Sequence, residues 1–386
     1  MRAKLLGRDC NLQTLFKKLE VSSEGISIMT KKANTYTIFL QDLKCASANI
    51  LKQDILSIGG ELALPYYVAG CLKDRTDGVL IATEYQLKKL AIKAKKQPFC
   101  LKELPEIIES IVQKNNHKKE IMGVLNLNED SFFEGSRSSR KDALKKIEQM
   151  IEDGASIVDL GAVSSRPGSE WVSFEEELER IESVVREIYS SGIYKDARFS
   201  IDTINPKIAE FCLDRGFSIL NDIDGLSNIE NAKIVAKYGA SVVIMHKKGT
   251  PKNMQVNPQY EDVVFEVEDF FRDRVFVAKS QGIKDIILDV GIGFGKNLEH
   301  NLELIRNLEH FKTLGFPLLV GASRKSMIDR ISHSKPQERL AGTLALHLEA
   351  LKNGASIIRA HDVKEHIQAL RVQEALRGIY DSKTDE

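Results

Sequence analysis

From residue 120 onward the chain alternates short apolar runs with amphipathic helical patterns, and that alternation limits the fold more than any motif does. Eight runs read as strands: IMGVLNL, SIVDLGAV, RFSIDT, SILNDI, SVVIMH, DIILDVG, PLLVGAS and SIIRAHD. Between them lie helix-period segments such as RKDALKKIEQMIEDG, SFEEELERIESVVREIY, PKIAEFCLDRG and NLELIRNLEHFKTLG, most of them closing on a glycine that suits a helix C-terminus. Eight such pairs in roughly 270 residues predict a TIM (β/α)8 barrel, for which about 250 is typical. A doubly wound sheet is the alternative architecture, but it needs no eighth unit.

The polar stretch QKNNHKKE, Gln113 to Glu120, sets the seam in front of the barrel. The expected organisation is a small α/β N-terminal domain of open role over residues 1–115, then the barrel over 118–386. In the first domain NLQTLFKKL reads as an amphipathic run, and ISIMT, YTIFL and GVLIAT as strands. ANILKQDILSI, YQLKKLAIKAKK and LPEIIESIVQ read as helices. The lysines of YQLKKLAIKAKK have no interleaved aromatics on which bases would stack, so they read as a solvated face. No catalytic constellation is evident in this part.

Charge excludes some partners. Lys and Arg total 55, as do Asp and Glu, so no bulk field draws the chain onto nucleic acid or an anionic membrane. The N-terminus MRAKLLGRDCNLQTLF lacks the apolar core of a secretory signal, and no run approaches the roughly 18 apolar residues of a membrane span. A cytoplasmic location is expected. The five cysteines, Cys10, Cys45, Cys71, Cys100 and Cys212, are odd in number and include no C-x-x-C pair. Disulfides and structural zinc are not expected, and buried packing is the expected role of the four before residue 101.

Seven of the strands end on polar residues: Asn126, Asp159, Asp202, Asn221 with Asp222, His246, Asp289, and Arg359 with His361. The stretch VGASRKSM, Val320 to Met327, adds Ser323, Arg324 and Lys325 after the seventh strand. Such groups pack poorly in a barrel core and need paired partners or a polar ligand. Their convergence at the C-terminal mouth predicts a binding site there. For a single one, such as Asp159, a structural hydrogen-bonding carboxylate stays equally open.

Taken in order, IMGVLNLNEDSFFEG, VDLGAVSSRPGS, SIDT, LNDIDG, IMHKKGTP, ILDVGIGFGKNLEHN, LVGASRKS, RLAGTLA and IIRAHDVKE resemble the dihydropteroate synthase family, the sulfonamide targets of folate biosynthesis. The resemblance spans roughly residues 120 to 380 and leaves the first 115 uncovered. It implies condensation of 6-hydroxymethyl-7,8-dihydropterin pyrophosphate with p-aminobenzoate to 7,8-dihydropteroate, releasing pyrophosphate. Carried onto this chain, the pterin contacts are Asp202, Asn221, Asp289 and Lys325, with Phe294 and Met245 as walls and His246 behind them as a structural residue. A carboxylate can accept paired pterin N–H donors, an amide can match mixed edges, and Asp202 suits positive charge developing in the ring. Arg359 and His361 would receive the pyrophosphate beside the helix that follows the eighth strand. Asn126 is implied as the ligand of magnesium (Mg2+), which keeps several waters and few protein ligands. The aminobenzoate is implied to meet Phe132, Ser165, Arg166 and Pro167 on two loops, together with Ser323. Asp202, Lys325, Arg359 and His361 form the implied catalytic set, and a homodimer is expected by the same resemblance.

Two departures from the family stand out. Asn128 and Glu129 replace the usual Thr-Pro pair in the first loop, and Ser165 stands where threonine is usual. Gly291, Gly293 and Gly295 do not make a phosphate loop, because Lys296 is followed by Asn297 rather than Ser or Thr. Two other functions compete: a methyltetrahydrofolate-dependent methyltransferase, and a catalytically silent pterin-binding scaffold. SSRPG, SRKS and RAH argue against the first, since methyl transfer needs no pyrophosphate or aminobenzoate site.

Overall fold

The computed structural model describes residues 1–7, 10–113, 115, 117–127, 137–163, 172–250 and 252–376. It divides into two compact units, residues 1–114 with 375–386, and residues 115–374. In the first, β1 (Thr35–Lys44), β2 (Glu61–Ala63) and β3 (Arg75–Thr83) form an antiparallel sheet ordered β1-β3-β2. Alternation along β3 buries Thr76, Leu80 and Ala82 and exposes Arg75, Asp77 and Ile81, the pattern of a sheet covered on one face. Leu51, Ile55, Leu87, Leu90 and Ile108 of the helices Cys45–Leu56, Glu84–Ala94 and Leu104–Val112 share that sheet's core. On Glu84–Ala94 the lysines Lys88 and Lys89 are exposed, as the solvated-face reading expects.

Two expectations need correction. ISIMT, expected as a strand, lies inside the helix Ser23–Ala33. Ile and Thr favour strands, but a five-residue run carries no usable period. The N-cap decides, with Ser22 Oγ accepting from the Gly25 amide at 3.2 Å. The second concerns cysteine burial, which holds for Cys45 but not for Cys10, which is half-buried, nor for Cys71 in a turn and Cys100 in the short 3-10 helix Phe99–Lys102, both exposed.

In the second unit all eight expected strands form, all parallel: β4 (Glu120–Asn126), β5 (Ile157–Gly161), β6 (Arg198–Asp202), β7 (Ile219–Asp222), β8 (Ser241–Met245), β9 (Ile286–Asp289), β10 (Leu318–Val320) and β11 (Ile357–Ala360). Each pairs with its neighbour in the chain, and β11 pairs with β4 to close a TIM barrel. The period of two along each strand then sorts the side chains. Val158, Ile201, Leu220, Ile244, Leu288 and Ile358 join the large core shared with the helices. Met122, Ile157, Ile219, Val243, Ile287, Leu319 and Ile357, none more than 4% exposed, fill the barrel interior as an apolar floor. Two residues further along those strands come Asp159, Asn221, Met245, Asp289 and Arg359. An apolar floor with a polar residue above it is therefore written into β5, β7, β9 and β11, while β8 carries Met245 at the same level.

The helix Phe174–Ser191 shows how the outer ring is specified. Ser173 Oγ accepts from the Glu176 amide at 3.2 Å while the Glu176 carboxylate accepts from the Ser173 amide at 3.0 Å, a reciprocal cap. Ile181, Val184, Val185 and Ile188 form its buried stripe, each worth about 2 kcal/mol of apolar burial. Glu177 lies on the same stripe, one turn earlier. Among the described residues no helix is long and apolar enough to cross a membrane.

Candidate active site

Strand ends bring four of the sequence candidates into one hydrogen-bonded group. Arg359 Nε donates to Asp159 Oδ2 at 2.7 Å and its terminal nitrogen donates to Asp202 Oδ2 at 2.8 Å. Asn221 Nδ2 also donates to Asp159 Oδ2, at 3.2 Å. Asp159 is fully buried, and its Oδ1 has no hydrogen-bond partner among the described residues. Burial raises the Asp202 pKa to about 7; Arg359 opposes that rise and the Asp159 charge adds to it. Burial works against the charge on Arg359, but Asp159 and Asp202 outweigh it and hold the guanidinium protonated. Asp222 is not part of this group. The next residue on a strand faces the other way, so its carboxylate accepts from Asn231 Nδ2 at 2.9 Å and from the Asp224 amide at 2.8 Å.

A second group forms around Lys325. Its Nζ donates to the Ile292 carbonyl and lies 4.5 Å from the centre of the Phe294 ring. Burial lowers its pKa to about 8, with Asp289 opposing the fall and Arg359 adding to it. Asp289 Oδ1 accepts from the Gly291 amide at 2.8 Å, and burial raises this carboxyl above its usual range. Met245, 3% exposed, ends β8 in register with Asp289. Asp202, Asp289, Lys325 and Arg359 thus lie close enough to shift one another's titration, above an apolar floor.

The glycines between them have packing roles. A Cβ on Gly291 (φ +66°) would fall 1.9 Å from the His246 carbonyl oxygen, and one on Gly295 (φ +64°) 2.1 Å from that of Lys248. Both positions need a left-handed backbone with no side chain. Beneath this loop lies Lys296, 1% exposed, its Nζ 2.8 Å from His246 Nδ1, 3.0 Å from Gly291 O and 3.1 Å from Phe294 O. Burial lowers its pKa well below the ordinary value while these acceptors hold the amine in place. His246 is buried: its pKa is lowered to about 2, and its ring stands edge-on to Phe270 at 4.9 Å.

Ser323 Oγ and His361 Nδ1 lie 2.8 Å apart, which ties the loop after β10 to the end of β11. Asn126, half-buried, closes β4; its Oδ1 and Asp202 Oδ2 lie 3.6 and 3.8 Å from the point a Cβ on Gly161 would occupy. A cavity of about 260 Å³ opens beside Asp202, between Val163, Val172, Ile204, Ile223 and Glu177. Phe132, Ser165, Arg166 and Pro167 lie outside the described residues, as do Asn128 and Glu129. A larger surface groove between the helices Phe174–Ser191 and Pro206–Leu213 is lined by charged groups far from the strand ends, so chemistry rather than size selects the site.

Sequence reading passed over Glu177 and Lys296. Glu177 accepts from Thr203 Oγ1 at 2.6 Å, and burial raises its pKa. Its signal was positional, a carboxylate on an otherwise apolar helical stripe. Lys296 gave no such signal, because glycines flanking a lysine suggest a loop and not a buried pin.

A family model described as pterin binding enzyme matches residues 122–361, which places the chain among the pterin-binding barrel enzymes. A bifunctional dihydropteroate synthase/dihydropteroate reductase of Helicobacter pylori is 42% identical over 377 residues, 97% of this chain and 99% of that one. The dihydropteroate synthase of Escherichia coli is 42% identical over 269 residues, 69% of this chain and 94% of that one. A crystal structure of Yersinia pestis dihydropteroate synthase with a sulfonamide complex aligns with a TM-score of 0.63 at 37% identity, over 68% of this chain and 95% of that one. The chain belongs to the dihydropteroate synthase family: it is an enzyme of folate biosynthesis, neither a corrinoid methyltransferase nor a silent scaffold.

Proposed function

We propose that the polar layer above the barrel floor divides the two substrates of dihydropteroate synthesis among its residues. The observation that carries this reading is the pairing of Arg359 with both Asp159 and Asp202, next to Lys325 and Asp289. Asp289 and Asn221 accept and donate along the pterin edge, Lys325 donates to the opposite edge, and Phe294 and Met245 enclose the ring. Asp202, adjacent, stabilises positive charge as the methylene C–O bond breaks. Arg359 uses two N–H groups on carboxylates, and its remaining N–H donors, with His361, receive the departing pyrophosphate. The p-aminobenzoate carboxylate meets Ser323, while Phe132, Ser165, Arg166 and Pro167 flank its ring. Its amine then attacks the methylene carbon, forms the C–N bond and releases a proton.

Asn126 Oδ1 and Asp202 Oδ2, both hard oxygen donors at the pyrophosphate end, fit a magnesium ion. When bound, such an ion neutralises charge on the leaving pyrophosphate. The enzyme works, on this reading, as a cytoplasmic homodimer, in keeping with its balanced charge and family resemblance.

Pyrophosphate release with both substrates and magnesium tests the division. Lys325→Ala and Asp289→Ala should each weaken pterin binding about tenfold or more, whereas Ser323→Ala should raise the KM for p-aminobenzoate and leave pterin affinity within about twofold. The same defect in all three variants would refute the partition.

A second activity is proposed from the full-length match. The Helicobacter protein is named also for dihydropteroate reductase, and its alignment takes in 97% of this chain, N-terminal residues included. We infer that this chain transfers a hydride from a reduced nicotinamide or flavin to dihydropteroate, a proton completing tetrahydropteroate. Mixing dihydropteroate with the protein and either donor should consume that donor anaerobically; no consumption with both would rule the activity out.

A further inference from the structure

Two buried histidines outside the substrate-facing group form a chain with one direction. The Ala322 amide donates to His347 Nε2 at 2.9 Å, His347 Nδ1 lies 2.8 Å from His366 Nε2, and His366 Nδ1 lies 2.6 Å from the Asp362 carbonyl oxygen. An amide N–H can only donate, so His347 Nε2 carries no proton. A neutral imidazole then holds its single proton on Nδ1, and His366 Nε2 accepts it. His366 must in turn hold its proton on Nδ1 and give it to the carbonyl. A second proton on either ring would break the series.

The rings occupy positions where a helix normally puts apolar side chains. His347 is 1% exposed and shares the stripe of Leu340–Lys352 with Thr343, Ala350 and Leu351; His366 is 4% exposed and shares that of Val363–Leu376 with Val363 and Leu370. Burial lowers both pKa values, reinforced for His347 by its partner ring and opposed for His366 by Asp362. An apolar pair here would leave the buried Ala322 N–H without an acceptor.

What the chain joins matters more than where it lies. Its ends are the loop after β10 and the turn after β11, which also meet through Ser323 with His361 and through Arg324 Nε with Asp362 at 3.1 Å. Arg324 holds a left-handed φ of +56°, secured by its amide on Thr343 Oγ1 at 3.0 Å and by Arg339 on its carbonyl at 3.0 Å. That conformation is strained for a non-glycine residue and persists only where neighbours enforce it. Directly beside it stand Ser323 and Lys325.

We propose that His347 and His366 are positioning residues: their one-way hydrogen-bond series locks the loop after β10 against the turn after β11, and so aims Ser323 at the carboxylate of the second substrate. This rests on the assignment of Ser323 to p-aminobenzoate made above. His347→Gln retains an acceptor and a donor, whereas His347→Phe retains only bulk. At saturating pterin pyrophosphate, His347→Phe should raise the KM for p-aminobenzoate about tenfold with a smaller fall in kcat, and His347→Gln should stay within about threefold of wild type. A packing role gives the reverse order, with Phe tolerated and Gln impaired, and that order, or equal effects, would overturn the proposal. So would a loss of kcat at constant KM, the mark of a smaller folded fraction. Ser323→Ala separates the two ideas. If it leaves this KM unchanged, the substrate assignment fails; if it raises KM and His347→Phe does not, the positioning role fails. Histidine 15N spectra of the unmodified enzyme need no variant to fold, and an Nε2-protonated tautomer on either ring would exclude the series.

Discussion

Arg359→Met should abolish measurable synthesis, a loss of at least about 10³-fold, and destabilise the protein by about 3–5 kcal/mol. The stability loss follows from what the guanidinium leaves behind. Asp159 is fully buried and Asp202 8% exposed, and both accept their charge-assisted hydrogen bonds from this one side chain. Without it two carboxylates remain in a low-dielectric mouth with, among the described residues, only Asn221 to donate. Asp202 then takes up a proton in the folded state, so its pKa rises further above the unfolded one. A raised folded pKa favours folding at low pH and loses that advantage as pH rises through it. The deficit measured by denaturant unfolding should therefore shrink from pH 8 toward pH 5.5. Adding Asp202→Asn to Arg359→Met should restore part of the stability and none of the activity, which distinguishes a charge defect from a packing defect.

Asp202→Asn alone should lower turnover about 10²–10³-fold while making the free enzyme more stable above pH 7. Asp202 titrates near 7 when folded, against about 3.9 in an unfolded chain. Between those values the folded protein holds the extra proton, and stability declines as pH rises through the window. Asparagine removes that decline. That window corresponds to at most about 4 kcal/mol; allowing for a weaker Arg359 contact, a gain of about 2 kcal/mol is expected at pH 8 and almost none at pH 4. Thermal melts at the two pH values, run beside pyrophosphate release, check both halves. Equal melting shifts at pH 4 and pH 8 would show that Asp202 is already ionised at neutral pH.

Both predictions depend on a trade between stability and function at one site. Carboxylates packed over an apolar floor are unfavourable in the free protein, and they are held there by Arg359 and Lys325. A ligand that brings positive charge and N–H donors relieves them, which is the physical reason a barrel mouth of this kind binds an electron-poor heterocycle.

Much of this was legible in the sequence. The order of eight strands could be read from apolar runs between amphipathic helices, and Asp159, Asp202, Asn221 and Arg359, which the barrel joins in one hydrogen-bonded group, stood out as polar residues at strand ends, because a strand's period of two fixes which residues share a face. The structure corrected what short segments leave ambiguous: ISIMT became helix because a serine cap outweighed strand propensity. Tertiary structure alone settled the partners. Asp159 and Arg359 are 200 residues apart, and no local rule pairs them until barrel closure brings β5, β6 and β11 to one mouth. Closure likewise buried Lys296 beneath a glycine loop and aligned His347 with His366 from two separate helices. Periodicity is a property of neighbours along the chain and determined the strands and their polar ends; hydrogen-bond partnership depends on how distant segments meet, and only the closed barrel decided it.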